Sequence, residues 1–344
     1  MRIPGFPRVL ARYLGVIALI IPLAAQARDV TDMLGNAVTV PDQIETVVTI
    51  GAVPVINTYV FAAGKGSKLA MGLPPNFDPS LSRFQLIFAP QMANGPVLQD
   101  PNLAPDLEKI VAVAPDVAFT FDQASADLLK ANGIPAVLMR IGTPEEIKAG
   151  VRLIGEVFGE PELGDHYAAY FDKISARVAE GVAGIPDANR PKVLYLNPVI
   201  MTQPHLIAEW WIPAGGGVSV TNDGRSQNVL SLTKEAVIGA NPDFIFVMEP
   251  KHIAVLREDP VLSQLDAVKN DRVLVSPRGA HVWGNRAVEL ALTPLWVASV
   301  LHPDRFPHDE LIEEAKGFYT EFFKTDLTTE QVEEILAGGW QRTK

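Results

Sequence analysis

Segment 277–286, with the sequence PRGAHVWGNR, holds four side chains that could bind an anion. Arg278, His281, Trp283 and Arg286 fall within nine residues. Guanidinium groups bind multi-oxygen anions through paired hydrogen bonds, and an indole ring offers an apolar or cation–π wall. This composition predicts a site for an anionic ligand, either an oxyanion or an anionic metal chelate.

The same residue types also fit purely structural roles. Arg286 would then form an ion pair with Glu289 or Glu209, and Trp283 would pack in the core, because arginine and tryptophan both often serve packing. The sequence leaves both interpretations open for each of these residues.

Further candidates lie in segments that we expect to follow strands or to form long loops. The segment 76–101 is predicted to be irregular, and loops of this length in compact domains are usually functional. Its Arg83, with Phe77, Phe84 and Phe88, is expected to shape one wall of a binding site. The predicted ligand-binding residues are therefore Arg83, Gln123, Asn197, Arg278, His281 and Trp283.

Three histidines in the second half could in principle hold a transition metal. His205, His252 and His281 each follow a predicted strand, but their spacing matches no local metal-binding motif. The chain also has no cysteine, which excludes disulfides and cysteine-ligated zinc. We therefore predict neither a metal site nor a cofactor.

Alternating strand and helix patterns must position these residues. An apolar run at 46–52, a helical pattern at 55–64 and a predicted strand at 68–73 form a βαβ unit. A second half, with predicted strands at 192–198, 244–248 and 272–277, repeats this order. Ligands of open α/β sheets bind beyond the carboxyl ends of the strands, which predicts a site in the cleft between two lobes.

One phrase occurs in both halves. LEKIVAVAPDVAFTF at 107–121 and KEAVIGANPDFIFVM at 234–248 each place a Glu seven residues before Pro and eight before Asp. A carboxylate in the first turn of a helix is stabilised by the helix dipole by roughly 0.3–1 kcal/mol, which alone could explain Glu108 and Glu235.

The first 27 residues have the pattern of a secretory signal peptide. Arg2, Arg8 and Arg12 precede a short apolar run, and AQA at 25–27 reads as a cleavage site. No Cys follows, so a lipid anchor is not expected. We predict a cleaved signal at 1–27 and a periplasmic mature protein; the alternative is an uncleaved membrane anchor.

Charge and motifs exclude two classes of function. Removing residues 1–27, which hold three Arg and no acid, changes the net charge from −11 to −14, so nucleic acid is a poor candidate partner. Gly-x-Ser-x-Gly, the phosphate-binding loop and an opening Gly-x-Gly-x-x-Gly are missing from the sequence. We do not expect an enzyme.

The chain resembles periplasmic binding proteins that serve ATP-driven importers of iron–siderophore, haem and corrinoid ligands. The stretches that carry the resemblance span the mature chain in order: DMLGNAVTVP, LEKIVAVAPDVAF, the helical stretch at 144–182, AGGGVSV, KEAVIGANPDFIFV, LDAVKNDRVLVSPRG and LWVASVLHPDRF. The resemblance implies a class III α/β fold, with two Rossmann-like lobes joined by a long rigid backbone helix, and no catalysis. We divide the chain into a lobe at 28–142, a linking helix at 143–185 and a lobe at 186–344.

The resemblance also implies the partners. In this family one surface Glu from each lobe docks onto a two-subunit membrane permease, and the matching positions are Glu108 and Glu235. We expect a monomer that carries a ferric siderophore-type chelate. The alternatives are a molybdate or tungstate binder of the same fold, since the long 76–101 segment and LWVASVLHP resemble that subgroup, a haem or corrinoid binder, or a non-catalytic sensor.

Overall fold

The computed structural model describes residues 27–75, 77 and 81–339, together with Met1. The predicted signal peptide at 1–27 lies outside the described residues except for its two ends. The described chain begins with an antiparallel hairpin of β1 (Ala27–Thr31) and β2 (Ala37–Pro41). Asp32 fixes its turn by accepting hydrogen bonds from the backbone N–H groups of Leu34 and Asn36 at 3.0 and 2.9 Å. The turn and β2 lie within DMLGNAVTVP, and β1 precedes that segment.

A parallel sheet of three buried strands, in the order β3-β4-β5, forms the core of the amino-terminal half. Both faces of this sheet are covered, which explains the continuous apolar runs in its sequence. The elements of this half are β3 (Val47–Ile50), α1 (Val53–Ala62), α2 (Arg83–Phe88), α3 (Leu107–Val113), β4 (Val117–Thr120), α4 (Gln123–Ala131) and β5 (Ala136–Leu138).

Two expectations for this half are wrong. Residues 68–73 do not form a strand, because only Leu69 bridges to Val47 after a 3₁₀ turn at Gly66–Lys68. The segment 76–101 is not irregular throughout, since it contains α2 and a 3₁₀ turn at Pro90–Asn94. Two of its three aromatic rings, Phe84 and Phe88, are buried in the core, whereas the half-buried Phe77 lines a small cavity with Leu73 and Leu86.

Two helices, α5 (Pro144–Phe158) and α6 (Glu162–Val182), follow where one linking helix was expected. Thr143 caps α5 by accepting the N–H of Glu146 at 3.2 Å, and Gly159 ends it in the left-handed conformation, with φ 74°. The helices pack closely, because a Cβ on Gly164 would lie 2.6 Å from the Arg152 Cα. At 21 residues, α6 is the long helix of this pair.

The carboxy-terminal half is built on a second parallel sheet, in the order β11-β10-β6-β8, with a short antiparallel pair of β7 and β9. Its elements are β6 (Lys192–Tyr195), β7 (Thr202–Gln203), α7 (Ala208–Ala214), β8 (Val218–Ser219), β9 (Leu230–Ser231), α8 (Lys234–Ala240), β10 (Phe244–Val247), α9 (Lys251–Glu258), α10 (Asp266–Lys269), β11 (Val273–Val275), α11 (Thr293–Leu301), α12 (His308–Glu321) and α13 (Thr329–Leu336). Among the described residues, no helix is long and apolar enough to cross a membrane.

The Pro-Asp of the repeated phrase has the same structural role in both sheets. The Asp116 carboxylate accepts the N–H groups of Glu45 and Thr46 at 2.7 and 2.9 Å, just before β3. The Asp243 carboxylate accepts the N–H of Lys192 at 2.7 Å, at the start of β6. Each aspartate therefore ties the first strand of its sheet to the strand that follows the repeated helix.

Aromatic rings and a buried amide join the two halves. Phe88 stacks on Tyr319, with ring centroids 5.3 Å apart, and meets Phe323 edge-on at 4.9 Å. The buried Gln85 side chain donates to the carbonyl oxygens of Pro54 at 2.8 Å and Ala280 at 2.7 Å. Because a buried amide left without partners is costly, these bonds fix the segment around Ala280 against α1.

Candidate functional site

A cavity of about 680 Å³ lies where the carboxyl ends of β3 and β4 face the second half of the chain. Its walls are Gly51 and Ala52 after β3, residues 102–105, the segment after β4 from Phe121 to Leu128, and Arg286. This is the position at which open α/β sheets bind ligands, and its size is that of a small-molecule site.

Arg286 is the cation that the second half contributes to this cavity. Its guanidinium is half-buried, and burial lowers the pKa of this group from its ordinary value, although the nearby Tyr59 opposes that shift. Its Nε donates to Asn285 Oδ1 at 3.3 Å, and its carbonyl oxygen accepts from Tyr59 Oη at 3.1 Å. Among the described residues no carboxylate forms an ion pair with Arg286, so it faces the cavity without a counter-ion.

The structural pairing considered for Arg286 is wrong. Glu289 lies in the core and is bonded to Tyr319 and the backbone, and Glu209 forms its ion pair with Arg225 at 3.2 Å.

Two neutral histidines accompany Arg286. Burial, followed by the charge of Arg286, lowers the pKa of His205 to about 4. Burial and the charges of Arg278, His205 and Arg286 hold the pKa of His281 well below its ordinary value. Asn285 accepts from Arg286 through Oδ1, so its Nδ2 donates to His281 Nε2 at 2.9 Å. The proton of the neutral His281 ring therefore sits on Nδ1, which can donate to an anion.

A buried carboxyl supports the segment that carries these residues. Glu289 accepts the N–H groups of Ala280 at 2.6 Å and His281 at 3.2 Å, and the hydroxyl of Tyr319 at 2.9 Å. Burial raises the pKa of Glu289 to about 8, against the lowering effect of those three hydrogen bonds. No local pattern signals this role, because it depends on contacts with α12, far along the chain.

Two of the six predicted ligand-binding residues are buried for structural reasons. Trp283 is fully buried and donates from Nε1 to Tyr319 Oη at 3.2 Å, so its ring forms no wall of the cavity. Arg278 is largely buried too: its backbone N–H bonds to the Ile335 oxygen at 2.9 Å, and its guanidinium donates to the Met248 oxygen at 3.2 Å.

The other four fall in different places. His281 lies near Arg286 and His205, as described above. Gln123 begins α4 beside the cavity but is exposed and donates to Asp127 at 2.7 Å. Asn197 holds a turn by accepting the N–H of Val199 at 3.1 Å, and Arg83 forms an ion pair with Glu334 of α13. The structure thus joins His281 to the cavity's cation and gives Asn197 and Arg83 local structural contacts.

A second, smaller cavity of about 350 Å³ lies between the start of α5 and segments 206–210 and 222–225. Its polar wall is the buried pair Glu209 and Arg225, and Glu209 also accepts from Gln203 at 2.9 Å and Thr221 at 2.8 Å. Within the described part of the chain, no group of three His, Cys, Asp or Glu residues is arranged to hold a metal ion.

Glu108 and Glu235 occupy matching surface positions. Each is exposed in the first turn of its helix, α3 or α8, behind an N-cap residue. Asp106 accepts the N–H of Lys109 at 3.2 Å, and Thr233 accepts the N–H of Ala236 at 3.1 Å. Backbone N–H groups at the helix start lower the pKa of Glu235.

This fold, with its inter-lobe cavity, is that of a class III periplasmic binding protein. Residues 90–278 match the periplasmic binding protein family, and the chain belongs to that family.

Known relatives span almost the whole chain. It is 24% identical over 324 residues to the molybdate-binding protein MolA of Haemophilus influenzae, covering 87% of this chain and 91% of that protein. A periplasmic solute binding protein of Veillonella parvula superposes with a TM-score of 0.78 at 27% identity, over 90% of this chain and 97% of the other. The molybdate-bound MolA structure has a TM-score of 0.76 at 22% identity, over 88% and 99%, which supports the fold.

Proposed function

We propose that this chain is a periplasmic receptor that binds a molybdate-type oxyanion in its inter-lobe cavity and delivers it to an ABC importer. The observation that carries the proposal is Arg286, a half-buried cation that faces the cavity without a carboxylate partner among the described residues. The neighbouring His205 and His281 rings are held neutral, so they add no second positive charge beside Arg286. The relative that binds molybdate supports this choice of ligand.

The start of α1 brings the positive end of a helix dipole to the cavity. Ala52 precedes this ten-residue helix and lines the cavity with Gly51. The field of the helix favours an anion there, although the N–H groups of Val53 and Val55 already bond the oxygens of Gly51 and Ala52 at 2.8 and 3.0 Å and Pro54 has no N–H. An ion between α1 and Arg286 would contact both lobes, as a carrier that closes around its ligand requires.

A ferric siderophore-type chelate is the second candidate, and the volume of the cavity favours it. About 680 Å³ exceeds what a single tetrahedral oxyanion fills, and an anionic chelate would use the same arginine. In either case we propose a monomeric, exported carrier with lobes at 28–142 and 186–344. Glu108 and Glu235 would dock the two permease subunits through charge-assisted bonds.

The proposal is tested by calorimetric titration of the mature chain with molybdate, tungstate, sulfate and a ferric catecholate. Molybdate and tungstate are expected to bind, and Arg286→Gln is expected to weaken both by about 10–100-fold, as the loss of a hydrogen bond from a charged group predicts. Arg257→Gln removes a surface arginine that pairs with Asp271, and this control should bind as the wild type does.

Two results would count against the oxyanion. An unchanged dissociation constant for Arg286→Gln would remove Arg286 from the site. Binding of the ferric catecholate with no heat from molybdate or tungstate would select the second candidate.

A further inference from the structure

The two helices that carry Glu108 and Glu235 also share an exposed apolar residue and an exposed small residue at matching positions. On α3, Val111 stands three residues after Glu108 and is 51% exposed; on α8, Ile238 stands three residues after Glu235 and is 37% exposed. A small exposed residue follows at the fourth position in each helix, Ala112 in one and Gly239 in the other. Positions i, i+3 and i+4 lie on one helix face, so both lobes present the same face: an acid, a β-branched residue and a small residue.

Local structure does not account for the β-branched residues. Val and Ile have lower helix propensity than Ala. Core packing does not explain Val111 and Ile238 either. The fully buried residue of each helix is the one just before them, Ile110 in α3 and Val237 in α8. An apolar side chain kept exposed at the same register in two lobes indicates a contact outside the chain.

The charges around each face favour one kind of occupant. Lys109 pairs with Asp106 at 2.8 Å, and Lys234 pairs with Asp259, so the neighbouring lysines are engaged elsewhere. Within the described residues neither Glu108 nor Glu235 forms an ion pair. A second copy of this acidic chain, or an anionic lipid surface, would meet like charge at both faces. A partner with two equivalent subunits, each with a cation beside an apolar groove, complements both.

We propose that Val111 and Ile238 are apolar anchors of the permease-docking surface, each inserted into a groove beside the cation that receives the glutamate. This inference rests on the proposed delivery function. The glutamates would set register and encounter rate, and the buried Val and Ile would slow dissociation once the lobes are seated. Ala112 and Gly239 would leave room for the permease to approach the helix.

The test measures binding of the ligand-loaded chain to lipid nanodiscs that hold the importer with which this chain supports molybdate uptake. The double variant Val111→Thr with Ile238→Thr keeps a β-branched side chain at both positions and removes apolar surface. It should bind about tenfold more weakly, mainly through faster dissociation, with ligand affinity and melting temperature unchanged. Val261→Thr, at an equally exposed valine outside both faces, should bind as the wild type does.

A double variant of the two glutamates tests the docking function separately from the apolar anchors. If Glu108→Gln with Glu235→Gln binds the nanodiscs normally, the docking part of the proposed function fails. If that arm loses binding while the threonine variant binds as the wild type does, only the apolar anchors are overturned. Weakening by Val261→Thr equal to that of the double variant, or concentration-dependent dimers lost in the double variant, also overturns them.

Discussion

Glu289 shows how much of the cleft's chemistry depends on a residue that faces away from it. Its carboxyl accepts hydrogen bonds from the backbone N–H groups of Ala280 and His281 and from the Tyr319 hydroxyl. The segment with His281 and Arg286 is therefore held on a polar group inside the core. Burial makes the ionised form of that group costly, which is why the pKa of Glu289 rises to about 8.

This raised pKa predicts a pH-dependent stability. Between about pH 4.5 and 8 the unfolded chain releases the Glu289 proton while the folded chain keeps it, so the unfolding free energy falls as pH rises. The slope from this group is at most about 1.4 kcal/mol per pH unit. Below about pH 6.5 the lowered pKa values of His205 and His281 act in the opposite direction, so the decline is expected between about pH 7 and 8. Urea unfolding across that range should show it in the wild type and a flatter profile in Glu289→Gln. Parallel profiles for the two proteins would contradict the assignment.

For single residues, the sequence predicts which residue types a binding site contains better than it predicts which side chains face the cavity. The cluster at 277–286 was correctly singled out as rich in arginine, histidine and tryptophan, yet Trp283 and Arg278 point into the structure. Which side of a loop faces the cleft is decided by contacts such as Trp283 with Tyr319, 36 residues away. Tyr59 and Asn285 were missed for the same reason.

Helices and strands with local signals were predicted well. Their boundaries follow from neighbouring residues: Thr143 and Thr328 cap α5 and α13, and Pro-Asp precedes β4 and β10. The failures are elements without such signals. Residues 68–73, predicted as a strand, have an apolar pattern but make one bridge only.

The pairing of α5 with α6 gives a prediction at the scale of elements. Gly164→Ala would place a Cβ 2.6 Å from the Arg152 Cα, so the helices must separate, and the unfolding free energy should fall by about 1–3 kcal/mol. Gly317→Ala in α12 is the matched control, because a Cβ there meets nothing within 4 Å. It should gain about 0.5–1 kcal/mol from helix propensity. Equal effects of the two variants in urea unfolding would show that close packing is not what Gly164 serves.

The described part of the molecule is built on two parallel sheets whose first strands are each fixed by the aspartate of the same phrase. That repeat made the two-lobed organisation predictable from the sequence. The way the lobes meet was not predictable, because Phe88 with Tyr319 and Gln85 with Ala280 join residues far apart in the chain. The position of Arg286 in a cavity otherwise lined by the first half depends on that meeting.

The most direct test of the account is the position of the bound ion. Crystals of the mature chain grown with molybdate should show an anomalous peak at the molybdenum absorption edge between the start of α1 and Arg286, within hydrogen-bonding distance of the guanidinium. A peak only in the smaller cavity beside Arg225, or no peak from protein that binds molybdate in solution, would contradict the site proposed for this chain.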